Sequence, residues 1–144
     1  MKRMLFTTVL LCMITCLRAQ VSLVSETKGT ITLRSSGTGK NIDEANANAA
    51  RNVFFVLLYR GVPESDINSA LIDIPEQEAQ QKFKPYLEAF FDKRYETFIT
   101  NAVQNGDVMK SKHRTRSVYL DITVNVQALR KDLEDNKVTR KFGF

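Results

Sequence analysis

Between Val118 and Val126 the chain alternates with a period of two: Val118, Leu120, Ile122, Val124 and Val126 are apolar, and Tyr119, Asp121, Thr123 and Asn125 lie between them. Successive side chains of a strand point to opposite faces, so this segment reads as a strand with one buried and one wetted face. Such a strand belongs in an antiparallel sheet covered on one side, because parallel sheets bury both faces. The rest of the chain must provide the cover.

Two segments suit that task. Asn41-Ile42-Asp43-Glu44 offers a capping residue with a Glu three positions on, the reciprocal arrangement that starts helices. Ala45, Ala49, Ala50, Val53, Phe54 and Leu57 then form one broad face until Gly61 and Pro63, which predicts a helix over 42–60. Its stretch Val53-Phe54-Phe55-Val56-Leu57-Leu58 is apolar almost all round and requires burial on several sides, by the domain or by a neighbour. Phe83, Leu87, Phe90, Phe91 and Phe98 recur at helical intervals, and Pro85 interrupts them. Proline removes a hydrogen bond and clashes one turn back, so one helix is expected near 76–83 and another near 85–100. The aromatics between Phe83 and Phe98 read as a core stripe, with an exposed partner groove as the alternative.

Thr30-Ile31-Thr32-Leu33 reads as a further strand, Ser35-Ser36-Gly37-Thr38-Gly39 as a loop, and 61–75 as a turn-rich connector with Ser65-Asp66 as a local cap and Leu71-Ile72 as anchors. Asn105-Gly106-Asp107 marks a turn, and 107–113 is expected to pair with the alternating strand as a hairpin. Asn125 caps a short helix over 126–135 buried through Val126, Leu129 and Leu133, and 138–144 alternates as a last edge strand. The order predicts an α+β fold: a small, mainly antiparallel sheet with one long helix and shorter helices packed on one face. The final aromatic alternation resembles the end of an outer-membrane barrel strand, but the helical segments leave too little chain for eight strands.

The first nineteen residues stand apart. Lys2 and Arg3 precede an apolar run from Met4 to Leu17 that ends at Arg18-Ala19, the layout of a signal peptide. The run falls short of the about 20 residues a membrane span needs. Cleavage after Ala19 would leave a single domain over 20–144 in the periplasm, at the outer membrane or outside the cell. A lipoprotein alternative places Cys16 at the new N-terminus, although Met13-Ile14-Thr15 lacks the small residue expected before it. Removing residues 1–19 lowers the basic count from 21 to 18 against 16 acids, and the net charge from +5 to +2. Cys12 and Cys16 leave as well, so no disulfide is expected in an oxidising compartment, and the core must carry the stability.

The chemistry is sparse. One His and no Cys in the mature chain are too few for zinc, and no cofactor is expected. His113 lies among Lys110, Lys112, Arg114 and Arg116, neighbours that disfavour the imidazolium a general base must form. Gly37-Thr38-Gly39-Lys40 evokes a phosphate loop, but Arg34 stands where the first glycine is required and Asn41 where Ser or Thr would meet magnesium. A strand-to-helix turn, with weak anion binding at the helix N-terminus as the alternative, is the reading that remains. Glu76, Glu78 and Glu88 are the candidates for a carboxylate pair, without a Trp platform beside them. The chain therefore reads as a non-enzyme.

Lys110-Ser111-Lys112-His113-Arg114-Thr115-Arg116 carries four full positive charges in seven residues. On alternating strand positions Lys110, Lys112, Arg114 and Arg116 would share a face and hold an anionic envelope polymer such as lipopolysaccharide; the export signal points away from nucleic acid. The competing reading is charge that shields a sheet edge.

Gly37-Thr38-Gly39, Glu44-Ala45, Ala49 and Arg51, followed by Tyr119-Leu120-Asp121-Ile122-Thr123-Val124-Asn125-Val126 and then Leu129 and Leu133, resemble the N-terminal domain of flagellar assembly protein T and related small secreted lipoproteins, over about residues 28–135. The resemblance implies a non-enzymatic α+β module of the bacterial envelope that contacts other proteins, and it brings no catalytic residues. The expected function is thus a secreted or periplasmic protein-interaction module, bound to another envelope protein or to itself, with the anionic polymer as the alternative ligand.

Overall fold

The computed structural model describes residues 21–111 and 113–139; the expected signal peptide, Lys112 and 140–144 lie outside the described residues. The chain runs β1 (Val21–Thr27), β2 (Thr30–Gly39), α1 (Ile42–Tyr59), α2 (Glu76–Lys82), α3 (Lys84–Asp92), a 3-10 turn (Arg94–Phe98), β3 (Ile99–Gln104), β4 (Met109–Lys110), β5 (Arg116–Asn125) and α4 (Val126–Asp135). All pairings are antiparallel, in the order β1-β2-β5-β3. Short β4 continues the edge that β3 begins, pairing Met109 with Ser117 and Lys110 with Arg116. The fold is α+β, with a mainly antiparallel sheet, as the one-sided alternation of β5 requires.

Val118, Ile122 and Val124 are fully buried, as are Ile31 and Leu33 of β2, and these residues meet α1 through Ala45, Ala49, Val53, Phe54, Leu57 and Leu58. Burying each large apolar side chain contributes about 1.5–3 kcal/mol, so this layer dominates the favourable side of folding. The apolar run of α1 is covered from the other side by the aromatics of α3 and the 3-10 turn. Phe54 meets Phe90 edge-on at 5.5 Å and Tyr95 at 5.6 Å, and Phe90 stacks on Phe98 at 6.0 Å. The aromatic stripe is core.

Asn41 caps α1 as expected: its side-chain oxygen accepts from Glu44 N at 2.8 Å. The Glu44 carboxylate reaches one residue further back than a capping box prescribes, accepting from Lys40 N at 2.7 Å. The helix ends one residue before the expected position 60. The amides of Arg60 and Gly61 both donate to Val56 O, and Gly61 takes φ +80°, a conformation that turns the chain away. Pro85 breaks the next helical segment between α2 and α3 and itself sits in the first turn of α3, where its missing N–H is harmless. Leu71 and Ile72 anchor the connector by donating to the carbonyls of Leu57 and Leu58 at 3.0 Å. Ser65 makes a turn rather than a helix cap, donating to Val62 O and accepting from Ile67 N.

Four expectations are corrected. Ser35–Gly39 is not a loop: β2 continues to Gly39 and pairs with β5 to the end, Gly37 opposite Val118 and Gly39 opposite Arg116. The second helix does not reach 100; it stops at Asp92 and gives way to the 3-10 turn. The expected hairpin forms within 107–113 only through Met109–Lys110, and most of β5 on that side pairs instead with Ile99–Gln104, a strand. At the C-terminal end Val138 donates to Leu133 O and is buried, while Val138 and Thr139 form no strand.

The glycines explain the first correction. A Cβ on Gly37 would lie 2.0 Å from Ala45 O and 2.4 Å from Ala49 N; one on Gly39 would lie 2.6 Å from Ala45 N. Strand and helix therefore touch backbone to backbone, and the glycines serve close approach. Among the described residues the pairing of β2 with β1 reaches Ser35, and beyond it the carbonyls of Ser36 and Thr38 accept from Asn52 Nδ2 at 2.9 Å and Asn48 Nδ2 at 2.8 Å. These two side chains, one helical turn apart, supply hydrogen-bond donors to the backbone at the end of β2.

Candidate functional site

The sheet has one face under α1 and one open face. Odd-numbered residues of β5 point to the open side, and cross-strand neighbours share it. Thr32 and Thr123 bond through their hydroxyls at 2.9 Å, and Thr38 and Ser117 at 2.8 Å. Arg34 grips Asp121 with Nε and an outer nitrogen at 2.8 and 2.9 Å, and Asn105 donates to the same carboxylate at 3.2 Å. The Arg34 guanidinium holds the Asp121 carboxyl below its ordinary range. This part of the face is a closed polar ladder.

Toward the hairpin end it changes character. Val103, Met109 and Tyr119 are 53%, 49% and 43% exposed. Val103 pairs with Asp121 and Met109 with Ser117, so both share the open side with Tyr119. Three of the five exposed large hydrophobics among the described residues thus share one face, Met109 and Tyr119 toward the hairpin end and Val103 beside Asp121.

The basic segment lies at that same end. Lys110 ends β4, Arg116 begins β5, and the turn between them is closed by Ser111 N donating to Thr115 O at 3.0 Å. Arg114 sits in the turn with φ +59°. The four cations are therefore not on alternating positions of one strand. The hairpin brings Lys110 and Arg116 directly opposite each other, on the face of Val118 rather than that of Tyr119, and places Arg114 at the tip; Lys112 is outside the described residues. Like charges opposite one another destabilise a hairpin.

The other sequence candidates are placed as follows. His113 is exposed in the turn, its backbone amide 3.4 Å from Ser111 Oγ. At the start of α1 the amides of Glu44 and Ala45 are taken by Asn41, and Asp43 and Glu44 put negative charge in the first turn, which opposes anion binding there. Glu76 accepts from Gln80, and Glu88 pairs loosely with Lys84 at 3.8 Å. Lys84 and Glu88 border a shallow cleft of about 300 Å³ with Tyr59, Leu87 and Phe91; burial, and then the charge of Glu76, pushes the Tyr59 phenol up. A second cleft of about 210 Å³ lies at the start of α4, where the amides of Val126 and Gln127 already donate to Gly29 O. Among the described residues no three His, Cys, Asp or Glu are grouped to hold a metal, and no helix is long and apolar enough to cross a membrane.

One half-buried polar cluster escaped the sequence reading. Tyr86 donates to Asp132 at 2.6 Å, and Arg94 clasps the same carboxylate while its guanidinium lies over the Tyr86 ring. Burial pushes the Asp132 carboxyl up, but the bonds from Arg94 and Tyr86 outweigh it and the net shift is downward. Burial and donation to Asp132 push the Tyr86 phenol far up. A phenol so disposed stays protonated, and the cluster ties α3 and the 3-10 turn to α4.

Family models, curated proteins and solved structures offer no match to this chain.

Proposed function

We propose that the protein is a secreted or periplasmic, non-enzymatic module of the bacterial cell envelope that works by binding another envelope protein or a second copy of itself. The observation that carries this reading is the β3 edge. Its sequence Ile-Thr-Asn-Ala-Val-Gln holds no charge and no proline, and five of its six residues are exposed. Among the described residues no strand pairs with its outer side. Natural sheets blunt such edges with charge or cover, and an uncharged, uncovered stretch of edge is a template for strand addition. Both edges carry a register shift, β3 between Ile99 and Asn101 and β1 between Leu23 and Ser25; the edges differ in charge, since β1 holds Glu26, whose carboxylate accepts from Asp66 N, while β3 runs uncharged and in regular register from Asn101 to Gln104.

The test is a photo-cross-linker placed at Asn101 and, as a control, at exposed Gln81, in cells carrying the full chain. A discrete adduct from position 101, lost when Ala102→Lys charges the edge and absent from position 81, supports the reading; its mass separates self-association from a different partner. Equal labelling at both positions, or none at 101, refutes it. The anionic-polymer reading is kept on one observation, the like-charge pair Lys110 and Arg116, which costs the hairpin stability without serving its core.

A further inference from the structure

The tip of the β3/β4–β5 hairpin combines two features that a soluble polyanion would not both require. On the open face Met109 and Tyr119 stand exposed, neighbours across and along the strands. On the covered face and in the turn are Lys110, Arg116 and Arg114, with Asp107 the one acid between Asn105 and Ser117. The nearest carboxylate on the open face, Asp121, is already neutralised by Arg34. The end of the hairpin is thus apolar on one side and cationic on the other, the division of an amphipathic element that lies in a lipid interface. Long basic side chains keep their charge at the headgroups while their stems lie along apolar surface.

We propose that this hairpin tip seats the protein on a lipid surface bearing anionic headgroups, with Met109 and Tyr119 entering the boundary of the acyl region and Lys110, Arg114 and Arg116 meeting the phosphates. The inference deepens the anionic-ligand reading and rests on it, because it names the ligand as a lipid surface. A free polymer would be held by charge alone and would leave Met109 without a role. Behind the tip, Arg34–Asp121 and the Thr32–Thr123 hydroxyl pair keep the rest of the open face out of the lipid, so contact is confined to the end of the hairpin, where the Thr38 and Ser117 hydroxyls beside Met109 satisfy each other. Binding is peripheral and reversible: each basic residue at an anionic surface is worth about fivefold in affinity, and the attraction falls with added salt.

The chain has no Trp, so Tyr119→Trp places a single, selectively excitable tryptophan at the contact. Mixed with phosphatidylglycerol–phosphatidylcholine vesicles at low salt, it should shift to the blue and sediment with them; with phosphatidylcholine alone it should do neither. The triple variant Lys110→Gln, Arg114→Asn, Arg116→Gln, in which Asn suits the positive φ at 114, should lose roughly a hundredfold in vesicle affinity. Met109→Ser should weaken vesicle binding several-fold and leave binding to soluble polyphosphate unchanged. Circular dichroism verifies that the variants fold. Polyphosphate binding without vesicle binding, or vesicle binding indifferent to Met109→Ser, overturns the lipid proposal and leaves the polymer reading standing. Binding to neither overturns both.

Discussion

Replacing Gly37 by Ala turns the contact between β2 and α1 into a number. Gly37 is in extended backbone rather than the left-handed region, so alanine is allowed there by its own φ and ψ; the obstacle is the helix. The new Cβ would stand 2.0 Å from Ala45 O and 2.4 Å from Ala49 N, where ordinary contact starts near 3.4 Å. Both neighbours are helix backbone, so no side-chain rotation relieves the overlap. α1 must lift by on the order of 1 Å, and a gap of that size forfeits about a quarter to a half of the dispersion energy of each contact it opens. Overpacked sites usually lose about 1–3 kcal/mol, and a backbone obstacle puts this one at the upper end. Against that runs a gain of about 0.4–1 kcal/mol from the stiffer unfolded chain. A net loss of about 2 kcal/mol is expected, which for a urea dependence of about 2 kcal/mol per molar lowers the midpoint by about 1 M. Urea titration followed by circular dichroism measures it. Adding Ala49→Gly should not restore stability, since the amide of Ala49 and the carbonyl of Ala45 remain. A Gly37→Ala protein as stable as the parent, or more so, would refute the close-approach argument and return Ser35–Gly39 to the status of a flexible segment.

Further outcomes follow from the same geometry. Tyr86→Phe removes a hydrogen bond to a carboxylate and should cost about 1.5 kcal/mol in a denaturant titration. Because the Asp132 carboxyl is held below its unfolded value of about 4, its contribution is whole above that pH and is lost as pH falls through the folded value; Asp132→Asn should therefore flatten the acid side of the stability–pH profile. Asp121 acts in the same direction, but the side chain of its partner Arg34 is 43% exposed and screened by solvent, so Arg34→Met should change stability little and the effect should shrink in high salt. Asn48→Ala and Asn52→Ala each leave a β2 carbonyl without its donor and should cost about 1 kcal/mol, with faster amide exchange along Ser36–Gly39. Leu57→Ala, at a fully buried position, should cost about 2–5 kcal/mol.

The candidate surface was only partly legible in the sequence. The charges of Lys110, Arg114 and Arg116 were visible, and so was the outward parity of Tyr119. Their arrangement was not, because it depends on the turn at 111–115 and on which residues oppose one another. Val103 and Met109 could not be assigned to a face before Ile99–Gln104 was known to be a strand. That segment has a weak pattern of its own, and pairing with β5 decides its state, as strand formation generally follows tertiary context.

By itself the sequence determined the elements whose signals are local. Strict alternation makes β5 one-sided, Asn41 starts α1 and Gly61 with Pro63 ends it, Pro85 divides α2 from α3, and Asn125 starts α4; each acts through the dihedral angles and hydrogen bonds of its own turn of chain. The tertiary structure alone decided what distant atoms impose on one another. Gly37 and Gly39 are strand residues because a helix backbone lies against them, Asn48 and Asn52 reach the carbonyls of Thr38 and Ser36 only when α1 lies across β2, and Asp132 finds Tyr86 and Arg94 only when α4 folds back on α3. Exclusion, satisfaction of buried polar groups and charge pairing are properties of the packed arrangement, and no local window of sequence contains them.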